Sequence, residues 1–384
     1  MRHIYMDHNA TTAIHPLVLE AMLPHLRTSF GNPSSVHWAG QSARQSIAEA
    51  REQVARLVNC EPGEVVFTSC ATESNNTAIK GVAAIRGERG RHIVTTTVEH
   101  PSVMMPCYYL EHFGFTVSCL DVDRQGRLDP VALEDAFTDA TILISVMYAN
   151  NETGTIFPIR RIGELAARRG VCFHCDAAQA VGKIPVDFKA ENIDLMSFSG
   201  HKLYAPKGVG ALIVRRGVRL HPLLHGGSQE RNRRAGTENV AGIVGLGKAC
   251  EIAADTLATE TARLQELRDR LEQGILTLIP DVRRNGDPEH RLPNTTNLSF
   301  LHIESDALLE ALNQSGIAAS SVSACSSGTL KTSRVLEAMG VVEGTLVGTL
   351  RLSLGRDNNQ EDVAYVLEVL PQIVQRLREA SGSR

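Results

Sequence analysis

Lys202 lies in SFSGHKLYAPKG (197–208), directly after an apolar run and behind Ser199, Gly200 and His201. A lysine held near an apolar sheet edge gives up its proton more readily and becomes a nucleophile able to form a Schiff base. Alone, it reads equally well as a surface lysine in a turn. Asp176 ends the apolar run VCFHCDA. A carboxylate there needs a partner, because burying it unaccompanied is costly. A protonated pyridine nitrogen is one such partner, and Gln179 could reach a phenolic oxygen on the same ring. The plainer reading makes Asp176 an N-cap for a following helix. SCATESN (69–75) runs from a strand into small residues and then a helix, whose free amides and partial positive charge suit a phosphate. Its plainer reading is helix capping by Thr72, with Asn75 or Asn76 on the exposed face. His100, in VEHPS, follows another strand, and GGSQERNRRAGTEN (226–239) is a basic, glycine-containing segment that reads by itself as a solvated loop.

These residues have to be positioned by the elements before them. Strand-like runs recur at EVVFTS (64–69), HIVTTTV (92–98), TVSCLDV (116–122), TILISVMYA (141–149), VCFHCDA (171–177), IDLMSFS (193–199) and GALIVRR (210–216). Helical patterns lie between most of them, as in SARQSIAEAREQVARLV (42–58) and TESNNTAIKGVAAI (72–85). This is the signature of an α/β fold with a mainly parallel sheet covered on both faces. The polar clusters Ser69 to Thr72, His100, Asn150 to Glu152, Asp176 to Gln179 and Ser199 to Lys202 fall at the carboxyl ends of the strands, the edge at which open parallel sheets bind ligands. A phosphate cradle, a Schiff-base lysine, a carboxylate for a ring nitrogen and a nearby histidine together suit pyridoxal phosphate, an electron sink when its ring nitrogen stays protonated.

From about residue 240 the pattern changes. A long helical stretch is expected from Val240 to Ile279 with a break near Thr256, then a strand at NTTNLSF (294–300), a helix near 305–314, a strand at LRLSLG (350–355) and a final helix. The expected division is a large domain, 15–255, and a smaller α+β domain made of 1–14 and 256–384. With 384 residues, 43% of them hydrophobic, the chain has ample material for two cores. A net charge of −4 gives no pull toward nucleic acid or an anionic membrane, and the basic segment lacks interleaved aromatics. There is no apolar signal core and no run of about 18 apolar residues, so a cytoplasmic protein is expected. The eight cysteines are scattered, and the CxxC pair Cys172 and Cys175 sits on a strand, where residues three apart face opposite ways. No dedicated zinc site is expected.

One thiol breaks the rule that free cysteine prefers the core. Cys325 stands in SSVSACSSG (320–328), among five serines and a glycine. Read alone, it is an exposed thiol of unknown purpose.

The chain resembles the cysteine desulfurases of the NifS/IscS type, fold-type I pyridoxal-phosphate enzymes, across essentially its whole length. YMDHNATT, FGNPSSVH, TESNNTAI, VEHPSV, YANNETGTIFPI, DAAQAVGK, SGHKLYAPKGVGALI, RRAGTEN, ASSVSACSSG and LRLSLGR occur in the family's order. The resemblance implies a seven-stranded, mainly parallel sheet flanked by helices. It implies that Lys202 holds the cofactor, Asp176 pairs with the ring nitrogen, Gln179 bonds the ring hydroxyl and His100 stacks and assists proton transfer. Ala71, Thr72, Ser199 and His201 would bind the phosphate, and Thr237 that of the other subunit of a homodimer. Asn151, also a cofactor contact, and Arg351 would hold the substrate carboxylate, which arginine's fork matches. Cys325 would be the nucleophile that takes sulfur from L-cysteine as a persulfide, leaving L-alanine, and passes it to an iron–sulfur scaffold protein. The same resemblance implies a transient iron–sulfur cluster on Cys325. The unshortened cysteine segment and QERNRRAGTEN lean toward the nitrogenase-linked NifS branch, and so to nitrogen fixation.

Two positions depart from the pattern: Val322 stands where the family has glycine, which stiffens the segment, and Cys175 where it has threonine. The competing readings are an aminotransferase or selenocysteine lyase on the same fold, which does not need Cys325 or does not turn over L-cysteine, and a non-catalytic sulfur carrier or scaffold, which leaves Lys202, Asp176, Gln179 and His100 unexplained.

Overall fold

The computed structural model describes residues 2–321, 333–341 and 347–380. Its strands are β1 (Ile4–Tyr5), β2 (Val65–Thr68), β3 (His92–Thr96), β4 (Thr116–Leu120), β5 (Thr141–Met147), β6 (Cys172–Asp176), β7 (Leu195–Ser199), β8 (Gly210–Val214), β9 (Val282–Asn285), β10 (Thr295–Leu301), β11 (Ile317–Ala318) and β12 (Val347–Ser353). The helices are α1 (Pro16–Arg27), α2 (Trp38–Val58), α3 (Ala71–Arg86), α4 (Pro101–Glu111), α5 (Pro130–Asp135), α6 (Ile159–Arg169), α7 (Gln229–Asn232), α8 (Val240–Leu278), α9 (Ser305–Gln314), α10 (Arg334–Ala338) and α11 (Gln360–Ala380).

All seven strands expected before residue 220 join one sheet, in the order β2-β8-β7-β6-β5-β3-β4. Only β8 runs antiparallel to its neighbours β2 and β7. Every residue of β5 is buried, which is why TILISVM reads as a continuous apolar run rather than an alternating one. One face packs on α2, α6 and the first half of α8 through Val54, Ile162, Phe173, Met196, Phe198 and Leu246; the other meets α3 and α4 through Ile79, Val82, Ile93, Val103 and Leu212. Cys172 and Cys175 lie in these two opposite layers, both fully buried, and cannot meet.

A separate core surrounds the antiparallel sheet β12-β10-β9 and the two-stranded parallel pair β1-β11. Leu271 and Ile275 of α8, Leu298, Phe300, Leu312, Leu350, Val366 and Leu370 fill it. The expected break near Thr256 is absent. α8 is one helix of 39 residues whose first half serves one core and whose second half the other. No glycine or proline interrupts it there, and the Thr256 hydroxyl donates to the Ile252 carbonyl four residues back at 2.8 Å, so that threonine is satisfied inside the helix. Among the described residues no helix is long and apolar enough to cross a membrane.

Candidate active site

The strand ends converge. Register sets Met147, Asp176 and Ser197 in one row across β5, β6 and β7, and Thr68, Gly210 and Ser199 in another across β2, β8 and β7. Gly210 lies so close to Cys70 that a Cβ there would come within 2.9 Å of the Cys70 backbone. That approach holds the start of α3 against the sheet edge. The result is a cavity of about 310 Å³ lined by Ala71, Thr72, His100, Asn151, Asp176, Gln179, Ser199, His201, Lys202 and Arg351, together with Asn9 and Ala10. Residues from all five polar clusters therefore reach a single site.

One end of the cavity is built for an anion. Cys70 is the N-cap of α3 but makes no side-chain capping bond, so the first amides of a 16-residue helix are left for a ligand. Thr72 sits inside the first turn and does not cap it, contrary to the plainer sequence reading. Glu73 receives the Ser69 amide at 2.8 Å and pairs with Arg234 at 2.9 Å, tying 226–239 to this helix start. That segment is therefore not simply a solvated loop. The Ser199 hydroxyl is buried and has no hydrogen-bond partner among the described residues. Burial, with Lys202 and Lys207 nearby, pushes His201 down to about 4, so it faces a ligand as a neutral ring.

Asp176 lies deeper and is buried. Its Oδ2 accepts from Asn75 Nδ2 at 2.7 Å and its Oδ1 from the Ala178 amide at 3.0 Å. A turn follows rather than a helix, so the N-cap reading fails. Asn75 is not on an exposed face: it is fully buried and also donates to Ser102 Oγ at 2.8 Å. The Ser102 hydroxyl, 2.7 Å from His100 Nδ1, donates to it, because that nitrogen already accepts from a backbone amide. The Ser102 amide donates to the same nitrogen at 3.1 Å. Neutral His100 thus carries its proton on Nε2. Its ring is reachable from the cavity, yet the surrounding protein lowers its pKa by desolvation, against the pull of Asp176.

Lys202 ends a short turn, Gly200–Lys202, whose His201 carbonyl accepts from the Thr12 amide at 2.9 Å. Its Nζ donates to the Asn9 carbonyl and, at 2.8 Å, to that of Ala10. Burial, reinforced by the Arg351 guanidinium, pushes Lys202 down to about 8, within reach of the free-base form a nucleophilic amine requires. Arg351, on β12, is buried and pairs with Asp7 at 2.7 Å; its Nη1 donates to the Asn151 carbonyl at 3.1 Å, and its Nε has no partner among the described residues.

Thr237 is not brought into this cavity; it is exposed and lines a separate hollow with Ser69, Arg234 and Asn239. Cys325 and Val322 lie outside the described residues. Sequence reasoning missed Asn75, Ser102, Asp7, Asn9 and Lys183. Asn9 and Lys183 sit in YMDHNATT and DAAQAVGK, but neither has a local pattern that assigns a task.

Residues 4–366 match the family described as Aminotransferase class-V. A cysteine desulfurase of Trichormus azollae is 53% identical over 381 residues, covering 99% of this chain and 95% of that protein. A solved NifS-like protein superposes with a TM-score of 0.92 at 39% identity, covering 98% of this chain and all of that one. A structure of SspA in complex with cysteine gives a TM-score of 0.81 at 37% identity over 91% of this chain and 98% of the other. A family match across nearly the whole length, on a fold that gathers these strand-end residues into one cavity, makes this chain a member of the class-V aminotransferase family.

Proposed function

We infer that this chain is a pyridoxal-phosphate-dependent cysteine desulfurase, which removes sulfur from L-cysteine and leaves L-alanine. The observation that carries the cofactor is the cavity itself: an uncapped helix start and an unpartnered buried hydroxyl at one end, a buried carboxylate deeper in, and a lysine with a depressed pKa on its wall. Pyridoxal phosphate is the cofactor of this family. When bound, it supplies an electron sink for charge that develops on the substrate. The relatives' names and the cysteine-bound neighbour support the substrate.

The chain's own residues take these tasks. Ala71, Thr72, Ser199 and His201 hold the phosphate, Asp176 the proton of the ring nitrogen, and Gln179 the ring oxygen. Lys202 anchors the cofactor and, as a free amine, moves a proton at the substrate's Cα. His100, with Nε2 protonated and Nδ1 held by Ser102, is oriented to give or take a proton at the cavity face. Arg351 holds the substrate carboxylate beside Asn151. The Cys325 thiolate takes the sulfur atom as a persulfide and hands it on for iron–sulfur cluster assembly. Thr237, exposed and close to the start of α3, is available to a second subunit's phosphate in a homodimer. The division into 15–255 and 1–14 with 256–384 is supported by the two separate cores, with α8 crossing from one to the other.

The deciding experiment measures alanine released from L-cysteine by the wild type and by Cys325→Ala. Alanine from the wild type alone is expected. Equal alanine from both overturns the role of Cys325, and none from either, with cofactor bound, overturns the substrate.

A further inference from the structure

We propose that Lys183 is a positioning residue that sets the orientation of the Gln179 amide, so that Gln179 offers the cofactor's ring oxygen an N–H and never its carbonyl. The inference rests on the cofactor reading above and adds a residue and a sign to it.

An amide can sit either way round, and its neighbours decide which. Gln179 Oε1 lies 2.6 Å from Lys183 Nζ, and Nε2 lies 3.0 Å from the Asn9 carbonyl oxygen. Turning the amide over would set N–H groups against the amine and oxygen against a carbonyl, losing both bonds at once. Lys183 cannot drift away to permit it, because Nζ also donates to Asn9 Oδ1 at 2.9 Å. Asn9 is fixed in turn. Its Nδ2 donates to Thr295 Oγ1 at 2.8 Å and to the Asn151 carbonyl at 3.2 Å, and its Oδ1 accepts from Asn294 at 3.2 Å. With Oε1 turned to Lys183 and one Nε2 hydrogen given to the Asn9 carbonyl, the second hydrogen of Nε2 is the donor Gln179 keeps for the cavity it lines. Desolvation, with Lys202 and Arg351 nearby, holds Lys183 well below the ordinary lysine range. The charged and titratable groups around it are Lys202, Arg351 and His8, whose own pKa is lowered by burial and then by Lys183.

A donor on the ring oxygen competes for the lone pair that would otherwise share a proton with the Lys202 nitrogen. Losing the donor keeps that proton bound to higher pH. The test loads each variant with pyridoxal phosphate and follows the bound cofactor's visible absorbance against pH. Gln179→Ala is expected to raise the midpoint by about one pH unit, the worth of one such hydrogen bond. Lys183→Met is expected to raise it comparably, and the double variant no further than Gln179→Ala alone, since Lys183 acts through Gln179. Lys183→Arg, still only a donor and with a neighbouring cavity of about 240 Å³ to accept its bulk, is expected to restore the wild-type midpoint. If Lys183→Met fails to fold, Lys183→Gln, which can accept as well as donate, takes its place and is expected to shift the midpoint upward by less.

A wild-type midpoint in Lys183→Met, or in the Gln variant used instead, overturns the proposal. Shifts that simply add in the double variant also overturn it, because they assign Lys183 a direct charge effect. An uncoloured wild type overturns the cofactor reading and this inference with it, whereas a coloured wild type with a Gln179→Ala midpoint that does not move overturns this inference alone.

Discussion

The sheet-edge wall of the cavity and its N-terminal wall are equally polar but assembled in different ways. Along the sheet edge, Asp176, Ser199 and Thr72 each stand within a few residues of a strand's end, and strand register alone lines them up. The opposite wall is gathered from remote segments. Asp7 meets Arg351 across 344 positions of sequence, Gln179 meets Asn9 across 170, and Asn9 meets Thr295 across 286. The first wall needs only the sheet, whereas the second exists only when both cores have formed and their edges meet. Cofactor retention should therefore depend mainly on the first wall, and substrate capture and fine orientation on the second.

The sharpest break of that contrast is Lys202→Ala. It is expected to lower kcat by at least about 10³-fold and to leave the protein colourless after dialysis. Colour that survives dialysis would remove Lys202 from the anchoring role. On the second wall, Arg351→Lys keeps the charge but loses the fork, and should raise the KM for L-cysteine about 10- to 100-fold with a smaller change in kcat. An unchanged KM would place the carboxylate elsewhere.

Asn75→Ala tests how far the first wall depends on support from behind. It strips a donor from buried Asp176 and from Ser102, so a stability loss of about 1–3 kcal/mol in denaturant titration is expected, along with weaker cofactor binding. Asn76→Ala, one residue along and more exposed, should stay within about 0.5 kcal/mol. Equal losses from the two would undo the distinction between them.

The smallest expected effect is a pH slope. The folded pKa of Lys202, about 8, lies below its ordinary 10.5. The unfolded chain therefore binds more protons at that site between those values, and cofactor-free protein should gain stability as pH rises through this window. The burden is fully present below about pH 8 and is relieved by about 10.5. Lys202→Met should flatten that part of the curve, and an unaltered slope would assign it to other groups.

Much of this was legible beforehand. Seven apolar runs became seven strands of one sheet, and the polar residues at their ends became one site, because a parallel sheet between helix layers demands continuous apolar strands and places its loops along one edge. The misreadings were of another kind. Asn75 looked like an exposed helix residue because helical spacing says which residues share a face, not which neighbour that face meets. At Thr256 the helix continues through the expected break, because a hydroxyl that bonds back to the helix offsets threonine's weak helix propensity.

The sequence by itself determined the elements, the order of the sheet-edge residues and the types of side chain available for chemistry, since period, turn residues and strand ends are local properties of the chain. Only the tertiary structure decided which polar groups face one another: Asn75 beneath Asp176, Arg351 against Asp7, and Lys183 on the Gln179 amide. Those pairings depend on how two cores close over a shared edge, and the spacing of residues along a chain carries no record of the distances across it.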